Sequence, residues 1–357
     1  MKLKSLKLYQ FKNREADVYS FHQRINAFVG NNGVGKTNIL DAIYLLSTTK
    51  SYFNHLDQFL IQFEKTEMSV MADFIDDIEI IANISVNGKK RFKKNGKYYS
   101  KLIDHIGLFQ VVFITPFDVE FVYGGSEIRR KFIDYTISQI DKAYLTDLIE
   151  YRKLLENRNA YLKLNKGRRI DLILMESYDA RLIPICKSIH SKRQSFCKQI
   201  DATFNSYYSY LAGDENTLKM EYVTGLNEVD YEILLKDSFN LDCITCRTNE
   251  GIHKDDINVL GELGKPFKKI GSQGQIKSFI IALKLAQFKF LKDESKQMPI
   301  LLLDDIFEKI DDERSKRLLE LVCSNDFGQI FITDTNKERI EEKLNQLNID
   351  CEYFETT

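Results

Sequence analysis

The sequence contains no tryptophan and only four prolines in 357 residues. With so little proline and only 17 glycines, long flexible linkers are not expected. No run approaches the ~20 consecutive apolar residues that a membrane-spanning helix needs. The opening MKLKSLKLYQFKN keeps interrupting its apolar residues with charge, so no secretory leader is expected there and the chain reads as cytoplasmic. An excess of one charge is missing too: Lys+Arg total 51 against Asp+Glu 52, a formal net charge of −1. That balance weakens the case for nucleic-acid binding without excluding it, because only a local basic patch is physically required. The six cysteines (Cys186, Cys197, Cys243, Cys246, Cys323, Cys351) form no disulfide framework. Cys243 and Cys246 make one CxxC with His253 beyond it, but no further ligand pair completes a zinc site, and ordinary buried thiols are the expectation.

What is present is 43% hydrophobic and 29% charged, which excludes a disordered chain and suggests two domains or one large domain with an inserted lobe. Residues 1–50 read as strand, strand (Ile25–Val29), loop and amphipathic helix. From Glu67 to Thr115 the pattern turns β, with Asn87-Gly88 and Asn95-Gly96 as hairpin signals. Ser126 to Leu211 reads as helical, and a mixed stretch follows to Pro266. Then come a helix over Gln275–Lys292, a strand over Ile300–Leu303, a helix over Glu313–Cys323, a strand over Ile330–Thr333 and a last helix over Lys337–Leu347. Strands alternating with helices at both ends imply a parallel α/β core assembled from the two termini. The expected division is an ATPase lobe of 1–125 and 245–357, with a mainly helical second lobe of 126–244 inserted.

Gly30-Asn31-Asn32-Gly33-Val34-Gly35-Lys36-Thr37 satisfies G-x-x-x-x-G-K-[ST] at every fixed position, between a predicted strand and a predicted helix. Glycines let the backbone N–H groups turn towards phosphates at a helix N-terminus. Lys36 is expected to reach the β and γ phosphates, and the Thr37 hydroxyl to ligate Mg²⁺. This pattern predicts ATP or GTP binding. Further on, Ile300-Leu301-Leu302-Leu303 ends in Asp304-Asp305. In a P-loop enzyme Asp304 would hold Mg²⁺, and Asp305 would orient the attacking water as catalytic base. Adjacent strand residues face opposite ways, so both can act only if the strand ends there.

Ser272-Gln273-Gly274-Gln275 opens a predicted helix shortly before these acids. By itself Ser272 reads as a helix cap, while the small polar turn is also an anion-binding geometry.

GNNGVGKTN, SQGQ and LLLDD with Asp311 after it, in this order, resemble the ABC-type ATPases of the SMC group. SQGQ is similar to their LSGGQ signature, with Gly271 in place of leucine and Gln273 in place of the first glycine. The interval between phosphate loop and signature is far too short for an SMC coiled coil, and the chain resembles most the RecF family. That resemblance spans nearly the whole chain and includes Phe11-Lys12-Asn13, Ile114-Thr115-Pro116, Tyr123-Gly124-Gly125-Ser126, Arg129 to Asp134, and His253-Lys254-Asp255-Asp256.

The resemblance implies two ATPs sandwiched between two copies, with the phosphate loop of one facing Ser272, Gln273, Gly274 and Gln275 of the other. It implies a homodimer that closes on duplex DNA and reopens on hydrolysis, working with RecR and RecO at gapped DNA to help load RecA. Three departures stand out. The catalytic acid is an Asp where many ABC ATPases have Glu; one methylene shortens the reach by roughly 1.3–1.5 Å, and slow turnover is expected. The usual switch histidine is absent, with Thr333 or Asp334 after the next strand instead. Phe117 stands where the family commonly has an acid, which leaves the Q-loop residue unplaced.

For DNA, Lys89, Lys90, Arg91, Lys93, Lys94 and Lys97 put six basic residues in nine across a predicted hairpin. Such density suits phosphate contact without base reading. Lys163, Lys166, Arg168 and Arg169 form a second cluster, and Arg129, Arg130 and Lys131 a third. Three other classes compete. A transporter's nucleotide-binding subunit would ordinarily keep the switch histidine. A P-loop endonuclease would need an acidic metal cluster outside these motifs. A nucleotide-gated scaffold would hydrolyse negligibly.

Overall fold

A period-two burial pattern builds the first layer. In the computed structural model, which describes residues 1–213 and 217–356, Leu6 and Leu8 of β1 (Leu3–Phe11) are buried while Lys7 and Tyr9 face outward. The chain continues through β2 (Arg14–Ser20), β3 (Ile25–Val29), α1 (Lys36–Thr48), β4 (Glu67–Phe74), β5 (Glu79–Ser85), β6 (Lys90–Lys94), β7 (Lys97–Tyr98) and β8 (Val111–Ile114). Next come α2 (Glu120–Tyr123), α3 (Ser126–Ser138), α4 (Lys142–Leu164), α5 (Leu172–Ala212), β9 (Lys219–Val223), α6 (Tyr231–Thr245) and β10 (Asp256–Leu260). The last elements are α7 (Phe267–Ile270), α8 (Gln273–Ser295), β11 (Ile300–Asp304), α9 (Ile306–Lys309), α10 (Asp312–Val322), β12 (Ile330–Asp334), α11 (Lys337–Gln346) and β13 (Cys351–Glu355).

Two compact units result. The first comprises Met1–Val119, Ser206–Glu215 and Ser272–Thr357. It holds an antiparallel sheet in the order β2-β1-β4-β5-β6-β7 and a parallel sheet in the order β13-β3-β12-β11-β8. The strands β3, β8, β11 and β12 are buried along their length, as strands covered on both faces require, while β13 at the edge is half-buried. Helix α1 packs against β4 and β5 of one sheet and β8, β11 and β12 of the other. Its Ile39, Leu40, Ile43, Leu45 and Leu46 are fully buried, each contributing about 1.5–3 kcal/mol relative to exposure. An α/β core drawn from both termini is the expected class. The topology adds that β12, a late strand, lies between β3 and β11.

The second unit comprises Glu120–Asn205 and Asn216–Gly271. It is mainly helical, with α3, α4, α5 and α6 and the antiparallel pair β9–β10, two strands within the stretch that reads as mixed from sequence. The changeovers fall at Val119/Glu120 and Gly271/Ser272, where the sequence placed them at 125/126 and 244/245. Residues 245–271 stay with the helices because β10 pairs with β9 and because Asp255 enters a buried ionic network. In that network the Arg193 guanidinium meets Asp134 and Asp255 at 2.9 and 2.8 Å and donates to the Ile252 carbonyl. A second buried arginine, Arg158, meets Asp179 at 2.9 Å and Asp242 at 2.8 Å. Among the described residues no helix is long and apolar enough to cross a membrane.

Candidate functional site

The carboxyl ends of β3, β12 and β11 lie side by side, and the loops leaving β3 and β11 carry the two motifs. After β3 the chain makes its phosphate loop. Gly35 has φ +97°, a left-handed value that favours glycine, and a Cβ there would come within 2.5 Å of the Asn13 side chain. Asn13 is fixed in turn by the Asn38 amide, which donates to its Oδ1 at 2.8 Å. The Lys36 ammonium is buried and donates to the Gly30 and Asn31 carbonyls at 2.9 Å each. These are interactions of a loop whose cation is directed inward.

Strand β11 ends at Asp304, and Asp305 adopts a left-handed φ of +46° as the chain turns into α9. Thr37, in the first turn of α1, donates its hydroxyl to Asp304 Oδ1 at 2.7 Å. At the end of β12 the Thr333 hydroxyl lies 2.9 Å from Asp304 Oδ1 and 3.3 Å from Asp305 Oδ1, and accepts the Asp305 N–H at 2.9 Å. Burial pushes the Asp304 carboxyl up to about 6, against the two hydroxyls that favour its anion. Burial also raises Asp305, opposed first by Lys36. A hydroxyl and a carboxylate side by side are the hard oxygen donors that Mg²⁺ takes, so the residues present fit that ion.

Thr37, Asp304 and Asp305 line a cleft of about 460 Å³ with Lys12, Asn32, Asn38, Phe53, Pro116, Phe117 and Glu308 among its other walls. Lys12 is pinned by Asp41 at 2.6 Å and lies over the Phe53 ring at 5.5 Å. Phe117 is two-thirds exposed. The neighbouring acid, Asp118, accepts the Thr115 N–H at 2.7 Å, is bonded by the Tyr52 hydroxyl, and meets Lys284 at 2.9 Å. Asp118 is thus held by these partners and does not line the cleft. Sequence reading passed over Thr333 as an acceptor-donor between the acids and missed Lys284 altogether. An isolated Lys inside an apolar helix was the available signal for the latter.

Asp334, the other residue considered at the missing switch position, is fully buried and turned to Arg339 and the Asn336 N–H. Asn31, Gly33 and Val34 belong to the same loop, and Asn32 reaches the cleft. Ser272 caps α8: its Oγ accepts the Gln275 N–H at 3.2 Å, and Gln275 Oε1 accepts the Ser272 N–H at 2.9 Å. Gln273 and Gly274 begin that helix. None of these four lines the cleft.

The basic hairpin divides between two faces. Register links Lys7 to Met71, Met71 to Ile81, Ile81 to Lys93 and Lys93 to Tyr98, so these side chains share one face. Arg91 lies on that face as well, and both Arg91 and Lys93 approach the Tyr98 ring. Lys90 and Lys94 point the other way with the buried Phe92, and Lys90 is paired with Asp57 at 2.8 Å. Lys89 and Lys97 are exposed at the turns.

His253 is a structural group. Its Nδ1 is 2.7 Å from the Tyr151 hydroxyl and its Nε2 is 3.0 Å from the Thr248 carbonyl. Burial depresses its pKa to about 4, so the neutral ring donates from Nε2 and accepts at Nδ1. Among the described residues no group of three or more His, Cys, Asp or Glu could hold a metal ion, and Cys243 and Cys246 are free thiols.

A phosphate loop, a strand-end acid pair and a parallel sheet built from both termini define an ABC/SMC-type ATPase head. The model of the RecF/RecN/SMC N-terminal domain matches residues 2–352. The chain is 42% identical over 350 residues to the DNA replication and repair protein RecF of Flavobacterium johnsoniae, covering 96% of each chain. It is 40% identical to the RecF of Bacteroides fragilis over 99% of this chain and 96% of that one. The chain thus belongs to the RecF family. A solved recombination mediator protein RecF of the RecFOR pathway, bound to an ATP analogue, superposes with a TM-score of 0.86 at 30% identity, over 99% of this chain and 95% of that one. An Smc head domain from Pyrococcus furiosus shares the fold at a TM-score of 0.57 and 18% identity, over 100% of this chain and 94% of that one.

Proposed function

We propose that this chain is a cytoplasmic DNA-binding ATPase of recombinational repair and replication. Two copies close on duplex DNA when ATP is bound, and slow hydrolysis reopens them. The observation that carries the reading is the convergence of Lys36, Thr37, Asp304, Asp305 and Thr333 at adjoining strand ends. Solved relatives of the RecF type with ATP or its analogue support the nucleotide assignment.

In this reading Gly30 to Thr37 cradle the phosphates. The Lys36 ammonium exchanges its carbonyl partners for phosphate oxygens, which bind a cation more strongly. Thr37 and Asp304 hold Mg²⁺, which supplies charge neutralisation at the β and γ oxygens when bound. Asp305, steadied by Thr333, orients the attacking water. Ser272, Gln273, Gly274 and Gln275 serve the nucleotide of the other copy. RecR and RecO are the proposed protein partners, in line with the RecFOR pathway that a solved relative is assigned to. For DNA the outer face of β6 presents Arg91 and Lys93 beside Tyr98, while Lys7 further across the sheet is paired with Asp73.

Fluorescence anisotropy on duplex DNA at fixed salt tests this with ATP, with ADP and without nucleotide. The wild type should bind clearly tighter with ATP, and Lys36→Ala should lose that gain. In the same assay Arg91→Ala with Lys93→Ala should reduce the slope of log K against log salt by about two, while Lys90→Ala leaves it unchanged. Equal affinity in every nucleotide state would remove the ATP-closed clamp, and an unchanged slope would remove this sheet face.

A further inference from the structure

Arg314 lies against the signature turn. A Cβ on Gly274 would come within 2.6 Å of Arg314 Nη1, so the guanidinium fills the space this glycine leaves open. Arg314 sits in the first turn of α10, and its ion pair is with Asp311, the residue that caps that helix. The pair is local, three residues apart, and half of the Asp311 side chain is exposed to solvent. Such pairs contribute little and exchange readily for a stronger anion. A guanidinium carries five N–H donors; the Arg314 Nε is buried and has no hydrogen-bond partner among the described residues. Arg317, one turn further, contrasts with it, because it is bonded to both Glu313 and the Tyr210 carbonyl.

We propose that Arg314 contacts the nucleotide of the other copy: when two chains close, its guanidinium leaves Asp311 for the γ-phosphate oxygens that face Ser272 and Gly274. The proposal rests on the ATP-closed dimer described above. Planar bidentate donors suit phosphate better than an ammonium does. In the separate chain, Asp311 holds the arginine at the signature turn, so the charge is already in place when a phosphate arrives. Asp311 thereby acts as the anion that ATP displaces.

The test uses the full chain and the slowly hydrolysed analogue ATPγS. Affinity for the analogue is measured at protein concentrations too low for dimers, and dimerisation is measured by light scattering across a concentration series. Arg314→Ala and the closer-sized Arg314→Gln should bind ATPγS within about twofold of wild type yet dimerise at least tenfold more weakly. Arg314→Lys should recover part of the loss. Asp311→Asn, which keeps a capping side chain, should tighten the ATPγS dimer, with no change in ADP. Wild-type dimerisation by the Ala and Gln variants would overturn the proposal while leaving the ATP-closed dimer intact. Equal loss of nucleotide affinity in the separate chain would also overturn it, by showing a folding role. A wild type that stays monomeric with ATPγS would instead overturn the dimer itself, and this proposal with it.

Discussion

Two clusters of buried carboxylates, one in each unit, are treated differently. In the helical unit Asp134, Asp242 and Asp255 each face a buried arginine at 2.8–2.9 Å. Tyr144 and Tyr222 add hydroxyl donors to Asp134 and Asp255. In the α/β unit Asp304 and Asp305 have hydroxyls for partners, and the nearby Lys36 ammonium is turned to main-chain carbonyls. The first arrangement finds its countercharges within the chain. The second leaves two acids whose pKa values burial raises and a cation with replaceable partners. An ionic network that is closed serves the fold, and one left open by the same chain serves a ligand that brings its own charge.

Breaking the closed network should have the largest effect. Arg193→Met removes the shared partner of Asp134 and Asp255, and should cost about 3–5 kcal/mol, read by urea unfolding of the helical unit. A cost below about 1 kcal/mol would show that the buried carboxylates are neutral or hydrated, and the contrast would fail. Opening the other site further should spare the fold. Asp305→Asn should lower kcat by about 10²-fold or more, with ATP affinity and unfolding near wild type. Retention of most activity would leave the water without its assigned base.

The smallest effect is a pH dependence in the helical unit. His253 has an unfolded pKa of 6.5 and a folded value of about 4. Between these values the unfolded chain binds a proton that the folded chain does not, so stability rises with pH across that window. The contribution is complete above pH 6.5 and is lost as pH falls towards 4. Relative to His253→Gln, wild type should therefore lose about 1–3 kcal/mol of its advantage between pH 7.5 and 4.5. A difference that stays constant with pH would mean that folding leaves the pKa of the ring unshifted.

How much of this was legible follows the range of the interactions. The Gly30–Thr37 loop was readable because its glycines, Lys36 and Thr37 act through neighbouring backbone. The β11 acids were readable because an apolar strand ending in charge is a local pattern. Thr333 was not singled out as a bridge, since its place between Asp304 and Asp305 depends on β12 entering between β3 and β11. Asp118 was hidden for a like reason: its tie to Lys284 joins residues 166 positions apart. In the hairpin, charge density was visible in the sequence, whereas the split between Arg91/Lys93 and Lys90/Lys94 came from strand pairing. Strands β9 and β10 alternate polar and apolar residues over only five positions each, and their partnership joins segments more than 30 residues apart; that pairing keeps the segment before Ser272 with the helices.

The sequence by itself determined the family, the α/β class, the phosphate loop and the strand-end acids, because glycine freedom, apolar periodicity and a fixed motif spacing act over a few residues. Tertiary structure alone decided which hydroxyl bridges the acids, which lysines share a face and which glycine an arginine leans on. Those depend on register and strand order, and a period-two backbone lets a shift of one residue exchange every inward side chain for an outward one.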